Sequence, residues 1–169
     1  VQCALPKSYR CPEPILNLAD AYLGNSVNLD LIKKAQNDGV ISLVSCPNTS
    51  AIKNKIEIEI NKLLSEGLSS SDIAVLILRG KDAILDFNMI GCHKTVLCDD
   101  PAMTSNIVAD GFLRFKGLER PAVIIFGLEL VSSGLEKRMY IALTRALTAV
   151  RIVADGETLK KDKILSKLL

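Results

Sequence analysis

Two uninterrupted apolar runs constrain the fold of this chain more than any other feature of its sequence. They cover residues 73–78 and 122–126, and each is preceded by polar residues. Short runs of this kind, rich in Ile, Val and Ala, are typical of strands that are buried on both faces. Such strands form parallel sheets, because the connections between parallel strands place helices on the two faces. The two runs therefore predict an α/β fold.

Helical patterns alternate with the predicted strands. Apolar side chains recur at helical spacing in several segments, which predicts helices at residues 11–24, 48–67, 82–90, 136–147 and 159–169. Shorter apolar stretches predict further strands at residues 40–44, 95–98, 107–113 and 150–153. This alternation predicts one domain over residues 1–169, with a mostly parallel sheet and helices on both faces.

Composition and charge exclude several classes of protein. The chain has 21 basic and 19 acidic residues, so it lacks the bulk basic charge of many nucleic-acid binders, while a local basic patch is still compatible with this balance. No apolar run reaches the length of a membrane span, and no signal peptide is visible. We therefore expect a cytoplasmic protein with no membrane partner. Because the chain begins with Val1, we interpret it as a fragment of a larger protein.

The cysteines do not predict a disulfide framework or a metal site. They are five in number and irregularly spaced, which argues against paired disulfides. Cys92, His93 and Cys98 form the one grouping that suggests a metal, but no C-x2-C pair is present and His93 is the only histidine. We expect reduced thiols and no metal bound by this chain.

The sequence lacks the elements of a self-sufficient hydrolase. It contains no G-x-x-x-x-G-K-S/T loop to hold the phosphates of a nucleotide. With one histidine it also offers no convincing Ser/His/Asp set. No glycine-rich turn follows an early strand, which disfavours a small-molecule α/β enzyme such as a nucleotide-dependent transferase. We expect the isolated chain to bind ATP weakly and to hydrolyse nothing.

Lys116, Gly117 and Glu119 form a polar loop before the strand predicted at 122–126. Gly117 permits either a close backbone approach or a positive φ. Lys116 can contact a phosphate, and Glu119 can accept a hydrogen bond from a hydroxyl. The alternative is an ordinary polar loop in which the two charges pair weakly.

Two other segments contain an arginine that could bind an anion, Arg145 and Arg10. Arg145 lies late in the predicted helix and off its apolar stripe, in one sector with Arg138. Its planar fork suits a phosphate, but a solvated arginine near a helix C-terminus is the alternative. Tyr9 and Arg10 precede the first predicted helix. They could stack on a base and reach a phosphate, or Tyr9 could simply pack on the helix.

Four segments, in this order along the chain, resemble helicases of superfamily 1 of the UvrD/Rep type. Ser8-Tyr9-Arg10-Cys11 resembles motif IV, which is usually Asn-Tyr-Arg-Ser. Residues 73–79 resemble the strand Ile-Ala-Val-Leu-x-Arg of that family, residues 115–119 resemble motif V, and residues 142–146 resemble motif VI. Leu113 departs from the pattern, since many relatives have a histidine there. The stretch between Arg79 and the strand at residue 107 is too short for the large insertion domain of some relatives.

The resemblance implies the second, C-terminal RecA-like domain of an ATP-dependent DNA helicase or translocase. In this family ATP lies between two domains, and its Mg²⁺ is held mainly by the N-terminal RecA-like domain of the same polypeptide. Single-stranded DNA or DNA junctions would be the other partners. The alternative is a non-catalytic α/β binding module that has kept the helicase scaffold and lost the motor.

The same resemblance implies a role for each candidate residue. Tyr9 would stack on adenine, and Glu119 would contact the ribose or help to couple the nucleotide to DNA. Arg10 and Arg145 would reach the γ-phosphate as arginine fingers, which stabilise the charge of the transferring phosphoryl group. The loop of motif V would be shaped by Lys116 and Gly117.

Overall fold

The computed structural model describes residues 11–79 and 87–169, in which helices and strands alternate. The helices are α1 (Glu13–Tyr22), α2 (Leu29–Asn37), α3 (Ile52–Ser65), α4 (Leu135–Leu143) and α5 (Gly156–Lys161). The strands are β1 (Ile41–Cys46), β2 (Ile73–Ile77), β3 (Met89–Ile90), β4 (His93–Val96), β5 (Ile107–Gly111), β6 (Arg120–Phe126) and β7 (Ala146–Asp155).

The strands form one seven-stranded sheet in the order β1-β7-β6-β2-β5-β4-β3. Every pairing is parallel except the short antiparallel hairpin of β3 and β4. β2 lies in the middle, and its last residue, Ile77, pairs with Gly111 of β5 and with Phe126 of β6. The predicted α/β fold with a mostly parallel sheet is confirmed.

Helices cover both faces of this sheet. On one face α1 and α4 contribute Ile15, Leu18 and Met139 to a core that includes Leu76 of β2. On the other face α3 packs against residues such as Val75. All five residues of β2 are buried, because alternate side chains enter the two cores. The apolar run that predicted this strand therefore reflects burial on both sides.

The prediction of a helix over residues 136–147 was wrong at its end. α4 stops at Leu143, and Ala146 already pairs with Arg120 of β6. The backbone of β7 is paired on both sides, with β1 and with β6. These long-range hydrogen bonds outweigh the helical preference of a short segment. As a result Arg145 lies in the turn between α4 and β7 rather than in the helix.

The C-terminal helix is also shorter than the segment 159–169 predicted. α5 ends just before Asp162, which adopts an extended conformation. The Asp162 carboxylate accepts hydrogen bonds from the N–H groups of Ile164 and Leu165, both at 2.8 Å. It also accepts one from the hydroxyl of Tyr22 in α1, at 3.1 Å. This buried contact stops the helix and fastens the C-terminal segment to α1.

Two further elements differ from the predictions. Of the helix predicted at 82–90, residues 82–86 lie outside the described residues, and Met89 with Ile90 forms β3 instead. α2 was not predicted. Its start is marked by Asn28, whose side chain accepts a hydrogen bond from the N–H of Leu31 at 3.1 Å. An asparagine in this position is a common helix cap.

A buried ion pair joins α3 to β7. The guanidinium of Arg151 lies 3.4 Å from the carboxylate of Glu59, and both side chains are almost fully buried. Arg151 also donates to the carbonyl of Gly39 at 2.8 Å, and Lys62 donates to Glu59 at 2.6 Å. The buried charges are therefore compensated by one another and by backbone oxygen.

We expect Arg151→Met to lower the free energy of unfolding by about 3 kcal/mol, because Glu59 would lose its buried partner. The double variant Glu59→Met/Arg151→Met should lose less than the sum of the two single variants. Urea unfolding measures these differences. Lys161→Met, which removes the exposed pair with Glu157, is the control and should leave the midpoint unchanged. If the double variant lost as much free energy of unfolding as the two single variants together, the two charges would not be coupled.

Candidate functional site

The candidate site is built around the connection between β5 and β6, residues 112–119, called here the crossover. The two strands lie on either side of β2 and run parallel to it. The crossover must therefore return from the carboxyl edge of the sheet to its amino edge. Phe115, in the middle of the crossover, is fully buried in the core shared with α1 and α4. This aromatic anchor holds the crossover against the sheet.

Tight hydrogen-bonded turns expose the residues that follow this anchor. The N–H of Phe115 donates to the carbonyl of Gly111 at 3.2 Å, and the N–H of Leu118 donates to the carbonyl of Phe115 at 3.0 Å. Lys116 and Gly117 are exposed between them. Gly117 has a φ of +89°, and no described atom lies within 4 Å of the place where a Cβ would stand. Its positive φ, rather than a close approach of the described chain, therefore explains the glycine.

Arg145 is half-buried in the turn between α4 and β7, and its side chain folds back on the end of α4. Its Nε donates to the carbonyl of Ile141 at 3.1 Å, and its Nη2 donates to the hydroxyl of Thr144 at 3.2 Å. Contact with a carbonyl of the last helical turn agrees with the interpretation of a cation near a helix C-terminus. Within residues 11–79 and 87–169, however, no acceptor takes the Nη1 group of Arg145, so this part of the fork can still bind an anion.

Three segments that are distant in sequence meet near Cys11, which precedes α1 and is 6% exposed. Burial raises the pKa of the Cys11 thiol to about 11. The positive charge of Arg145 opposes this increase in pKa, and the negative charge of Glu119 adds to it. Both charges must lie near the thiol to act in this way. Cys11, Glu119 of the crossover and Arg145 of the turn after α4 therefore lie at one corner of the domain.

The strand register explains where this corner lies. Arg120 and Ala146 are the first paired residues of β6 and β7. The N–H of Arg120 donates to the carbonyl of Arg145 at 3.1 Å. Glu119 and Arg145 directly precede these two strands, so they stand at the amino edge of the sheet.

The two remaining predicted site residues are Tyr9 and Arg10. Both lie outside the described residues, although the adjoining Cys11 is in the corner just described. Arg138 does not share a sector with Arg145. It donates to the carbonyl of Leu78 at 2.7 Å and its guanidinium lies over the ring of Phe112. It therefore stands beyond the carboxyl end of β2, in the N-terminal half of α4, whereas Arg145 follows the C-terminal end of that helix.

The sequence analysis missed a charged network at the start of the crossover. Asp110 is fully buried, and its carboxylate lies 3.2 Å from the guanidinium of Arg114. The Nη2 atom of the same guanidinium lies 2.7 Å from the carboxylate of Asp99. No local pattern marks this pair, because Asp110 lies inside a predicted strand, where a spacing of four residues does not bring two side chains together.

Other expectations concern metals and membranes. Cys92 and His93 lie in and after the turn of the β3–β4 hairpin, whereas the thiol of Cys98 donates to the carbonyl of Arg114 at 3.4 Å. In the described part of the chain, no three His, Cys, Asp or Glu side chains are arranged to hold a metal ion. The helices of the same part are all too short or too polar to cross a bilayer.

Comparison with solved structures places this geometry in a known fold. The domain is similar to the C-terminal domain of a possible DNA helicase from Lactobacillus plantarum WCFS1, with a TM-score of 0.69. The alignment covers 96% of this chain and 95% of that domain, at 18% sequence identity. At this identity the similarity establishes the shared fold, and the RecA-like α/β prediction is confirmed. No protein-family model matches the sequence, and no curated protein matches it either.

The thiol of Cys11 can report on the charges of the site. We expect Arg145→Ala to raise the pKa of this thiol above about 11, because a nearby positive charge is lost, and Glu119→Gln to lower it. The pKa is measured by NMR of ¹³Cβ-labelled cysteine in a variant whose other four cysteines are serine. Lys137→Ala, an exposed cation of α4, serves as the control and should leave the pKa unchanged. Equal pKa values in all variants would show that the charges are not near the thiol.

The positive φ of Gly117 predicts a cost for any side chain at this position. We expect Gly117→Ala to lower the free energy of unfolding by about 1 kcal/mol, because the backbone is strained although space is available. Thermal unfolding measures the change. Lys116→Ala is the neighbouring control, and its exposed side chain should contribute little. A stabilised Gly117→Ala variant would mean that the loop adopts a negative φ.

Proposed function

We propose that this chain is the second, C-terminal RecA-like domain of an ATP-dependent DNA helicase or translocase of the UvrD/Rep type. Its task is to complete an ATP site whose phosphate loop and Mg²⁺ belong to an N-terminal RecA-like domain of the same polypeptide. Single-stranded DNA or a DNA junction is the substrate, and the cytoplasm is the expected location. The shared fold with the C-terminal domain of a possible DNA helicase supports this proposal.

The observation that carries the proposal is the meeting of three motif-like segments at one corner. Cys11 ends the segment that resembles motif IV, Glu119 ends the one that resembles motif V, and Arg145 belongs to the one that resembles motif VI. The effects of Glu119 and Arg145 on the pKa of Cys11 support their closeness. A common surface is the minimum requirement if these segments contact one nucleotide.

The described residues of this corner fit an anionic ligand in part. Among the described residues no acceptor takes the Nη1 group of Arg145, and Lys116 is an exposed cation on the same crossover as Glu119. No described atom lies within 4 Å of the place where a Cβ of Gly117 would stand, so the described residues leave room for a ligand near its backbone. When bound, ATP supplies a phosphoryl group whose negative charge the arginine can stabilise.

Each residue has a proposed role that follows from its chemistry and placement. Arg145 donates hydrogen bonds to the γ-phosphate, where its planar fork matches the oxygen atoms. Lys116 neutralises phosphate charge, and Glu119 accepts a hydrogen bond from the ribose or links the nucleotide to DNA. By the resemblance to motif IV, Tyr9 would stack on adenine and Arg10 would reach the γ-phosphate. Closure of the two domains would bring these groups to the nucleotide, and hydrolysis would release them.

The test is the ATPase activity of the full-length polypeptide that carries this domain. We expect Arg145→Ala to lower kcat at least about 100-fold, because arginine fingers contribute about 10³–10⁵ to phosphoryl transfer. Arg10→Ala should have an effect of the same kind. Lys137→Ala is the matched control, since it removes an exposed cation from α4 without touching the site. This domain alone should hydrolyse no ATP, because its sequence lacks the phosphate loop.

The ATPase assay also distinguishes the proposed motor domain from the alternative, a non-catalytic binding module. Full turnover in the double variant Arg10→Ala/Arg145→Ala, or robust turnover by this domain alone, would defeat the proposal. A wild-type polypeptide that binds DNA but hydrolyses no ATP would favour the non-catalytic binding module. DNA-stimulated turnover that depends on Arg145 would exclude that alternative.

A further inference from the structure

A buried carboxylate fastens the beginning of the crossover to two strand ends. Asp110 has no exposed surface, and its Oδ1 accepts a hydrogen bond from the N–H of Gly111 at 2.7 Å. Its Oδ2 accepts one from the N–H of Cys98, just after β4, at 3.0 Å. The same oxygen lies 3.2 Å from the Nε of Arg114. The guanidinium supplies the opposite charge that a buried carboxylate requires.

Arg114 connects this carboxylate to the next segment of chain. Its Nη2 lies 2.7 Å from Asp99, whose side chain is largely exposed, and its carbonyl accepts the thiol hydrogen bond of Cys98. The N–H of Arg114 donates to the carbonyl of Gly111 at 3.0 Å. Backbone and side chain of Arg114 are therefore both fixed. We call Asp99, Asp110 and Arg114 the crossover clamp.

The clamp determines where the following residues can lie. Phe115, the next residue, is buried, and the N–H of Lys116 donates to the carbonyl of Leu113 at 3.1 Å. At the other end of the crossover, Arg120 is fastened to the carbonyl of Arg145. Only the short segment between these two anchors carries the exposed loop, so its position depends on both.

We propose that Arg114 is a positioning residue that acts through Asp110 to place Lys116 and Glu119 for nucleotide binding. This inference rests on the proposed function. Arg114 itself is occupied by the two carboxylates of the clamp, so it is not assigned a contact with the nucleotide. Its effect should appear in the affinity for ATP rather than in the chemical step, because Arg145 is held separately by the end of α4.

The geometry also predicts which substitutions preserve the clamp. Arg114 uses different nitrogen atoms for the two carboxylates, Nε for Asp110 and Nη2 for Asp99. Lysine offers one point charge and cannot reproduce this fork. Arg114→Lys should therefore retain part of the function, and Arg114→Met should retain least. Asp99→Asn should have a smaller effect than Arg114→Met, because it removes only the exposed partner and leaves the buried pair intact.

The experiment combines hydrogen–deuterium exchange with steady-state kinetics on the full-length polypeptide. In Arg114→Met the amides of Lys116 and Leu118 should exchange at least about tenfold faster, while those of β6 keep their protection. The KM for ATP should rise at least about fivefold with kcat within about twofold of wild type. Arg114→Lys should be intermediate in both measurements. Lys137→Ala, which removes an exposed cation of α4 outside the clamp, is the control and should match the wild type.

Each outcome supports or overturns the inference. Wild-type turnover combined with unchanged exchange and KM in Arg114→Met overturns the inference and leaves the proposed function standing. Lost protection throughout β6 overturns it too, because Arg114 would then be a general determinant of the fold. Absence of ATP turnover in the wild type overturns the proposed function and this inference together. Faster loop exchange with a raised KM and a preserved kcat supports positioning.

Discussion

The parallel pairing of β6 with β7 is the constraint on which the candidate site depends. It begins at Arg120 and Ala146, and the N–H of Arg120 donates to the carbonyl of Arg145. Neighbouring strands lie about 4.8 Å apart, so the residues that precede two paired strands are close to each other. Backbone hydrogen bonds thus bring Glu119 and Arg145 to the same edge. The arrangement depends on the sheet rather than on the particular side chains at these positions.

Helices and strands are predicted well from the sequence where a continuous apolar run marks a buried strand. They are predicted poorly where pairing with a strand distant in sequence determines the structure. Residues 73–78 and 122–126 read as strands because each is apolar on both faces, and β2 and β6 match them closely. The end of α4 could not be predicted in the same way. Ala146 fits the apolar stripe of a helix and also a buried strand position, and only its pairing with Arg120 of β6 selects the strand.

The site is predictable from sequence in its residue types but not in its arrangement. Glu119 and Arg145 attract attention through their motif-like surroundings, yet only the fold brings them near Cys11. Their roles toward a nucleotide stay predictions. Asp110 is harder to recognise, because a carboxylate within a strand suggests an exposed position. Its buried state depends on Arg114 and on a backbone N–H after β4, which no local pattern contains.

Contacts within the protein orient the side chain of Arg145. Its bonds to Ile141 and Thr144 restrict a long side chain whose rotamer freedom is worth up to about 2 kcal/mol. Both acceptors are neutral oxygen atoms, so these bonds hold the guanidinium in place without neutralising its charge. A cation arranged in this way binds an anion at a lower entropic cost than a flexible one. It can also stabilise negative charge that develops during a reaction without first reorganising. The hydrogen bonds of Arg145 to the end of α4 resemble ordinary helix capping. They are nevertheless compatible with the role proposed for Arg145, because the same bonds orient its guanidinium.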